Sequence, residues 1–226
     1  MTTQKAFARY AGEKAVLWID PSRIDTTIGT KWPVGKRKIR QLRKYLHPSV
    51  SDLARPWFKH REPFCIPANS FGSPTAIIST ERYQRIAEFV HHSGNVRETL
   101  WYEMLMNELK KDGIARHKEI EMLCEDDIVA FLQGYARDLV SSILDYGFKP
   151  DFTGYESTAL LGPDGTLHKS GSGNHRFYIC KALGISKFSL RVVGAHAAWL
   201  VSAGLSADIA SDATLEALQR VEANHR

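Results

Sequence analysis

The chain has 226 residues, of which 43% are hydrophobic and 24% charged, and this balance predicts one folded domain with a sizeable core. Its formal net charge is +5 and its pI is about 9.1, a mild excess that permits an anionic partner without requiring one. No apolar run approaches the roughly 20 residues of a membrane span, and the first residues lack an apolar signal core. We therefore expect no membrane partner and no secretory peptide.

The three cysteines, Cys65, Cys124 and Cys180, are far apart and have no CxxC spacing. They indicate neither a disulfide framework nor a zinc site. A reducing, cytoplasmic setting is the resulting prediction. No HxxxH, HxxE or paired-Asp motif predicts a fixed metal site.

The first third of the chain is predicted to contain a strand, a loop and a basic helix. Residues 15–19 form a short apolar run that ends at Asp20 and Pro21, which is typical of a strand entering a turn. Residues 22–28 are expected to be a loop. Residues 36–46 carry apolar side chains at helical spacing and predict an amphipathic helix. Four prolines within 55–74 predict an irregular segment wrapped on the core.

The middle of the chain has the periodicity of α-helices. Helices are predicted over 82–91, 96–111 and 126–145, and a glycine follows within three residues of each end. The apolar side chains of each helix fall on one face. Methionine and aromatic residues in such faces are typical of core packing rather than of cofactor binding.

The stretch 160–185 gives the clearest indication of a site. Residues 160–161 and 166–169 are expected to form a hairpin whose turn is Pro163-Asp164-Gly165. The small residues 170–174 then lead into a helix predicted over 175–183, which exposes backbone N–H groups beside the positive end of a helix dipole. Beyond it we expect a strand over 188–193, a loop over 194–196 and short helices over 197–203 and 213–221.

A second feature that attracts anions is the basic run from Lys31 to Lys44. Seven Lys and Arg residues occur in this run, with no acid among them. Such a run is typical of a solvated helix face, and it also fits a surface that binds nucleic acid or nucleotide. The sequence leaves both interpretations open.

Residues 138–193 together resemble the core of the ParB/sulfiredoxin superfamily. The sequence LVSSILDYGF at 139–148 is similar to a helix of that family, and GSGNHR at 171–176 stands in the place of its phosphate loop. ALGI at 182–185 and a closing strand follow, as in the family. AVLWIDPSRI at 15–24 resembles its first strand and the turn after it. The resemblance covers about 65 residues in two pieces.

The resemblance implies an α+β fold with a mixed-sheet core from 15–28 and 137–193. A large, mostly helical insertion would occupy about 29–136, and short C-terminal helices would occupy 197–226. We expect these parts to form a single domain over 1–226.

The resemblance also implies a nucleoside triphosphate ligand, ATP or CTP, with Mg²⁺ carried by the nucleotide. Loop amides, a helix dipole and an arginine together suit a polyphosphate. One of the side chains of His168 and Lys169 should point towards the loop, because neighbours on a strand alternate. The residues expected around the nucleotide are Lys169, Ser170, Gly171, Ser172, Gly173, Asn174, His175, Arg176, Ser141 and Ser142.

Phosphoryl transfer requires a positioned phosphate, a balance for its charge and an oriented acceptor hydroxyl. Arg176 is the candidate for charge stabilisation, with a structural salt bridge as the alternative. His175 and His168 are candidates for phosphate contact or proton transfer, and for His175 a helix-capping role is the alternative. Asp20 and Glu156 are candidate general bases, although each also fits an ordinary surface acid.

Two departures narrow the functions that the family implies. Sulfiredoxins place a catalytic cysteine immediately before the His-Arg pair, and Asn174 stands there in this sequence, so a sulfinic acid reductase is not expected. Partition proteins carry a helix-turn-helix region after the core. Only 33 residues follow Val193, too few for the usual DNA-binding and dimerisation parts.

Three functions stay open, and the sequence favours the first of them. It is an enzyme, a kinase or a nucleotide hydrolase, that transfers phosphoryl from ATP or a related nucleotide to a small hydroxylated molecule or to water. The second is a ParB-like DNA-binding protein or nuclease that uses the basic Lys31 to Lys44 run. The third is a non-catalytic scaffold with the same fold. In the first case Glu98, Trp101, Tyr102 and His117 are candidates for an acceptor pocket; the acceptor and the oligomeric state are not predicted.

Overall fold

A computed structural model of the chain describes residues 2–150, 157–205 and 209–226. These residues combine α-helices with a mixed β-sheet, so the α+β class is confirmed. The chain divides into two compact units. The first unit comprises Met1–Ile77, Pro150–Asn174 and Ser186–Arg226, and the second comprises Ile78–Lys149 and His175–Ile185. The expectation of a single domain over 1–226 stays a prediction.

The helices follow one another in chain order through both units. They are α1 (Gln4–Ala11), α2 (Pro33–Leu42), α3 (Pro48–Leu53), α4 (Arg55–His60), α5 (Ala68–Phe71), α6 (Glu81–His91), α7 (Leu100–Asp112), α8 (Glu125–Phe131), α9 (Arg137–Tyr146), α10 (Asn174–Ala182), α11 (Ala197–Ser202) and α12 (Asp212–Asn224). A π-helical turn, Leu132–Ala136, joins α8 to α9.

The strands are short except for the last one. They are β1 (Val16–Ile19), β2 (Thr26–Thr27), β3 (Cys65–Ile66), β4 (Thr75–Ala76), β5 (Ala115–His117), β6 (Ile120–Met122), β7 (Thr158–Leu161), β8 (Leu167–Lys169) and β9 (Phe188–His196). Strands β5 and β6 form a hairpin in the second unit, and the others belong to the sheet of the first unit.

The sheet of the first unit is mixed, with the order β1-β9-β7-β8-β2-β4 and with β3 also paired to β9. Strand β9 runs antiparallel to β1 and parallel to β7, whereas β8 runs antiparallel to β7 and parallel to β2. One face of this sheet packs on a buried cluster that includes Ile28, Ile66, Phe71 and Leu160. Burial on both faces explains why β7 and β8 consist of buried residues throughout.

Most of the elements predicted from periodicity are confirmed. The strand at 15–19, the hairpin at 160–169 and the helices near 82–91, 96–111 and 175–183 all form. Other predictions are wrong. The loop expected at 22–28 contains β2, and the single helix expected at 126–145 is α8 and α9 joined by a π-helical turn. Residues 194–196 continue β9 rather than form a loop. The segment 55–74 contains α4, β3 and α5, because its prolines occupy N-terminal positions of helices or lie between elements, where proline is tolerated.

The basic helix α2 begins at Pro33, three residues before the predicted start, and a buried carboxylate holds its N-terminus. The two oxygens of Glu62 accept hydrogen bonds from the backbone N–H groups of Val34 (2.8 Å) and Gly35 (2.7 Å). Glu62 is only 1% exposed, and burial raises the pKa of its carboxyl. A negative charge at this position complements the positive end of the α2 dipole.

The second unit is built from α6 to α10 and the β5–β6 hairpin. Its core contains Ile86, Phe89, Trp101, Leu105 and Phe131. Helix α10 joins this core through Tyr178, whose ring meets the ring of Tyr83 edge to face. The side chain of Cys180 on α10 is also buried, and burial raises the pKa of this thiol to about 12.

Among the described residues, no helix combines the length and the apolar character that crossing a bilayer requires.

The cap on α2 gives a test of the fold. Replacing Glu62 by Ala removes the acceptor for two N–H groups of the first turn, and a buried donor without an acceptor costs about 1–3 kcal/mol. We expect Glu62→Ala to lower the free energy of unfolding by about 2–3 kcal/mol in urea denaturation. Glu62→Gln, which keeps one acceptor oxygen, should lose less.

Glu13→Ala is the matched control, because the side chain of Glu13 is 90% exposed in the same unit. A Glu62→Ala variant as stable as this control would show that the carboxylate does not hold α2.

Candidate functional site

Two loops of the first unit leave the sheet side by side. Strands β2 and β8 are parallel, with Thr27 paired to Lys169, so the segments that follow them emerge at the same edge. The N–H of Ile28 donates to the Lys169 carbonyl at 2.8 Å and extends this pairing to the strand ends. The segment 170–174, named here the glycine loop, therefore lies beside 28–32. Ligands of open α/β sheets bind outside the carboxyl ends of neighbouring parallel strands.

The glycine loop is held in place by hydrogen bonds from the buried side chain of Lys169. This side chain is fully buried, and its ammonium donates to the carbonyl oxygens of Ser170 (2.6 Å) and Ser172 and to Oδ1 of Asn174 (2.9 Å). It also donates to the Thr158 carbonyl at 3.3 Å. The prediction that one of His168 and Lys169 points towards the loop is confirmed, and Lys169 is that residue.

Two peptide groups of the loop, those after Ser170 and Ser172, have their carbonyls on the side of the lysine and their amides on the other. In a trans peptide, the C=O of one residue and the N–H of the next point in opposite directions. The N–H groups of Gly171 and Gly173 follow the carbonyls of Ser170 and Ser172 and therefore point away from the ammonium. Within the described ranges, the N–H groups of Gly171, Gly173 and Asn174 have no hydrogen-bond partner. These amides are donors available to an anion.

The glycines are required because neighbouring backbone lies against them. A Cβ on Gly171 would lie 3.2 Å from the Gly29 oxygen and 3.3 Å from Cα of Thr30. At Gly173, which has φ of +67°, a Cβ would lie 2.7 Å from Cα of Ser157. The Ser157 hydroxyl donates to the Gly173 carbonyl at 3.3 Å. The loop is thus fitted against 29–30 on one side and Ser157 on the other.

A groove next to this loop carries part of the basic run. It has a volume of about 320 Å³ and begins at Gly29 and Thr30, the residues that meet Gly171. We name it the basic groove; its other lining residues are Trp32, Lys36, Ile39, Arg40, Arg43 and Arg55. The glycine loop and the basic run, separate hypotheses in the sequence, are therefore neighbours in the first unit.

An aspartate crosslinks two arginines of the basic groove. One terminal nitrogen of Arg43 donates to both oxygens of Asp52, at 2.8 and 2.9 Å, and Arg55 donates to one of them at 3.0 Å. The Arg43 hydrogen bond is the main reason that the pKa of Asp52 is lowered. The Nε of Arg55 is buried and has no partner.

His175 and Arg176 lie on α10, in the second unit. The ring of His175 stacks on Trp101 with 15° between the planes, and it meets the ring of His117 edge to face at 4.7 Å between centroids. Trp101 and His117, two candidates for the acceptor pocket, are thus brought together with His175. Neither imidazole has a hydrogen bond within the described part of the chain.

Both histidines of this pair are uncharged at neutral pH. Burial is the main cause that lowers the pKa of His117 to about 4 and the pKa of His175 to about 3. The cations Lys118, Arg85 and Arg82 act in the same direction on both rings, and His117 adds to the effect on His175. A neutral His175 offers one donor and one acceptor rather than a positive charge.

The remaining predicted residues have other surroundings. Asp20 accepts from the N–H of Ser22 at 2.8 Å and caps the turn after β1. Three strand spacings, about 14 Å, separate β1 from β8 in the sheet order. Ser141 and Ser142 are exposed on α9. Glu156 lies outside the described residues. The roles proposed for these four residues stay predictions.

His168 faces away from Lys169 and lines a different pocket of the first unit. Its Nδ1 lies 2.6 Å from Oγ1 of Thr26, and burial lowers its pKa although Asp164 acts in the opposite direction. The pocket has a volume of about 330 Å³ and is also lined by His196 and Phe71. The role of His168 in phosphate contact or proton transfer stays a prediction.

Sequence reasoning missed several side chains that build the site. Ser157 and Thr158 support the glycine loop from β7, and the Thr158 hydroxyl lies 2.6 Å from the hydroxyl of Ser170. Arg55 is the first residue of α4, a helix that was not predicted because its segment is rich in prolines. The available signal for the first two was the pair of consecutive small polar residues directly before the apolar run 159–161. No local pattern pointed to Arg55.

In the described ranges, no group of three or more His, Cys, Asp or Glu residues is arranged to hold a metal ion. Glu98 and Tyr102 line a separate surface groove of the second unit, and Tyr102 donates to Glu125 at 2.9 Å.

The support of the loop by Lys169 predicts a large effect of its removal. Hydrogen bonds to charged groups contribute about 1.5–3 kcal/mol each, and Lys169→Met leaves several loop carbonyls without a donor. We expect a loss of about 3 kcal/mol or more in the free energy of unfolding. Asn174→Ala, which removes one acceptor, should cost about 1 kcal/mol. Lys5→Met, at an exposed position of α1, is the control, and equal losses for the two lysine variants would contradict the assignment.

The histidine pair predicts a loss of stability in acid. Between pH 6.5 and about 4, the unfolded chain binds protons at His117 and His175 that the folded chain does not bind. Each histidine therefore lowers the free energy of unfolding by about 1.4 kcal/mol for each pH unit of descent in this window. His175→Phe should make the decline between pH 6.5 and 4.5 shallower in urea titrations. The exposed His91→Asn is the control, and the same slope for wild type and His175→Phe would refute the prediction.

No protein-family model, curated protein or solved structure matches this chain. The resemblance to the ParB/sulfiredoxin superfamily therefore stays a prediction from the motifs. What the chain does has to be argued from the geometry of the glycine loop, the basic groove and the histidine pair.

Proposed function

We propose that the chain is a nucleotide-binding α+β protein of the ParB/sulfiredoxin type. In this proposal the glycine loop holds the phosphates of ATP or CTP, and the terminal phosphoryl group is transferred to the hydroxyl of a small molecule or to water. The order of the motifs supports the family, with the glycine loop between a hairpin and a helix and with β9 as the closing strand.

The observation that carries the proposal is the set of unpaired amides on a loop that Lys169 holds rigid. Gly171, Gly173 and Asn174 present N–H groups with no partner in the described residues, at the carboxyl ends of two parallel strands. Donors that are already in place lose little freedom when an anion binds, so more of the interaction energy contributes to affinity. Helix α10 begins at Asn174, and its dipole favours a negative charge at this end.

The roles of individual side chains follow from their charge. Arg176 would balance the charge that develops on the transferred phosphoryl group. His175 is neutral at pH 7 and would donate a hydrogen bond or accept a proton. Lys169 is a positioning residue, because the acceptors of its ammonium described above belong to the loop and to β7.

Mg²⁺ would enter with the nucleotide. The residues described offer no ready-made metal site, and Mg²⁺ in nucleotide enzymes is held largely by phosphate oxygens and water. The ion would neutralise phosphate charge, and the loop amides would fix the position of the phosphates.

DNA binding is the second candidate, because of the exposed cations of α2. Lys36, Lys38 and Arg40 are exposed, and they make no ion pair within the described ranges. Affinity for duplex DNA that falls steeply with salt, and less steeply after neutralisation of these three side chains, would favour this function.

The proposal predicts that ATP or CTP binds in calorimetry with Mg²⁺ and that Gly171→Ala weakens binding. The new methyl group would meet the Gly29 oxygen at 3.2 Å and shift the loop by a few tenths of an ångström. Displaced amides should cost about 1.4 kcal/mol or more, which corresponds to a tenfold rise in Kd.

Gly134→Ala is the matched control, because a Cβ there has no neighbour within 4 Å. No nucleotide binding to the wild-type chain would reject the proposal. Binding that Gly171→Ala leaves unchanged would reject the glycine loop as its site.

A further inference from the structure

The basic groove has the size of a small-molecule site. Its volume of about 320 Å³ lies at the lower end of the range for ligand pockets, which suits a small metabolite rather than a complete nucleotide. Trp32 and Ile39 provide an apolar wall, and such a wall strengthens the electrostatic attraction of the charged groups beside it.

The charge of the groove is strongly unbalanced. Four cations line it, namely Lys36, Arg40, Arg43 and Arg55. The carboxylate of Asp52 pairs with two of them, Arg43 and Arg55. Lys36 and Arg40 have no ion pair in the part of the chain that the structure describes. This arrangement attracts a dianion more than a neutral molecule.

Arg55 adds further donors to the groove. One of its terminal nitrogens donates to Asp52 at 3.0 Å, and 43% of its side chain is exposed. Its Nε is buried, so a phosphate oxygen in the groove would bond to the terminal nitrogens.

The groove shares a wall with the glycine loop. Gly29 and Thr30 line the groove, and the same two residues meet Gly171 of the loop. An anion bound to the loop amides and an anion bound in the groove would therefore occupy neighbouring sites on either side of 29–30. Two adjacent anion sites of different size fit a donor and an acceptor that both carry phosphate.

We propose that the basic groove binds the phosphate group of the acceptor, so that the substrate is a small phosphorylated molecule with a free hydroxyl. The inference rests on the proposed function, since the donor is the nucleotide on the glycine loop. In the reaction, the acceptor hydroxyl oxygen forms a bond to the terminal phosphorus. The bond from that phosphorus to the bridging oxygen breaks, its electron pair leaves with the nucleoside diphosphate, and the hydroxyl proton passes to water.

The test uses the full chain saturated with a non-hydrolysable ATP analogue and Mg²⁺. Calorimetry with glycerol 3-phosphate, and with glycerol as the matched ligand without phosphate, measures the second site. We expect glycerol 3-phosphate to bind and glycerol not to bind. Arg40→Gln and Lys36→Gln should each raise the Kd for glycerol 3-phosphate about tenfold and leave the Kd for the nucleotide analogue within about twofold.

Arg9→Gln is the control variant, because Arg9 is an exposed arginine on α1 in the same unit and outside the groove. It should bind both ligands as the wild type does. Both groove variants replace exposed side chains without ion pairs in the described ranges, so they are expected to fold.

The outcomes separate the two proposals. Failure of the nucleotide analogue to bind overturns the proposed function and this inference with it. If the nucleotide analogue binds, two results would overturn this inference and leave the proposed function standing. In the first, glycerol 3-phosphate competes with the analogue; in the second, its affinity is unchanged in both groove variants. A loss of affinity for a short DNA duplex, but not for glycerol 3-phosphate, in the groove variants also overturns it and favours nucleic acid.

Discussion

The buried ammonium of Lys169 is the interaction on which the candidate site depends. A charge removed from water is costly unless hydrogen bonds replace its hydration, and the loop supplies these bonds with its own carbonyl groups. The same bonds fix the direction of the peptide planes after Ser170 and Ser172. The lysine therefore determines, without any contact to a ligand, that amide donors form the outer surface of the loop. A glycine-rich segment of this length would otherwise be flexible and would lose entropy on binding.

The two units place their cations in different surroundings. In the first unit, backbone amides and the cations of α2 and Arg55 lie at the ends of two parallel strands. In the second, burial keeps two imidazoles uncharged, and the cations Arg82, Arg85 and Lys118 add to this effect. A negative charge beside those rings would lower the cost of protonating them.

The sequence predicted elements that local periodicity defines and missed those that distant partners define. The helix 82–91 carries an apolar face, and the hairpin at 160–169 carries a Pro-Asp-Gly turn, so each is visible within a short window. Strand β2 consists of two threonines whose conformation depends on pairing with β8 and β4, and no local window contains those partners. The glycine loop was found through its small residues directly before a predicted helix. The basic groove was not predicted, because it is formed by α2 together with Arg55. Arg55 lies in the proline-rich segment 55–74, which was predicted to be irregular.

The pairing of Thr27 with Lys169 has a consequence for the order of folding. These residues are 142 positions apart, and the second unit's 78–149 lies between them in the chain. Closing so long a loop is entropically unfavourable until many other contacts exist, so the β2–β8 contact belongs to the late steps of folding. During synthesis, α2 and its cations emerge long before the loop that they adjoin. Nascent chains of about 150 residues thus have the basic helix without the glycine loop, and the two can become neighbours only after residue 174 has been added.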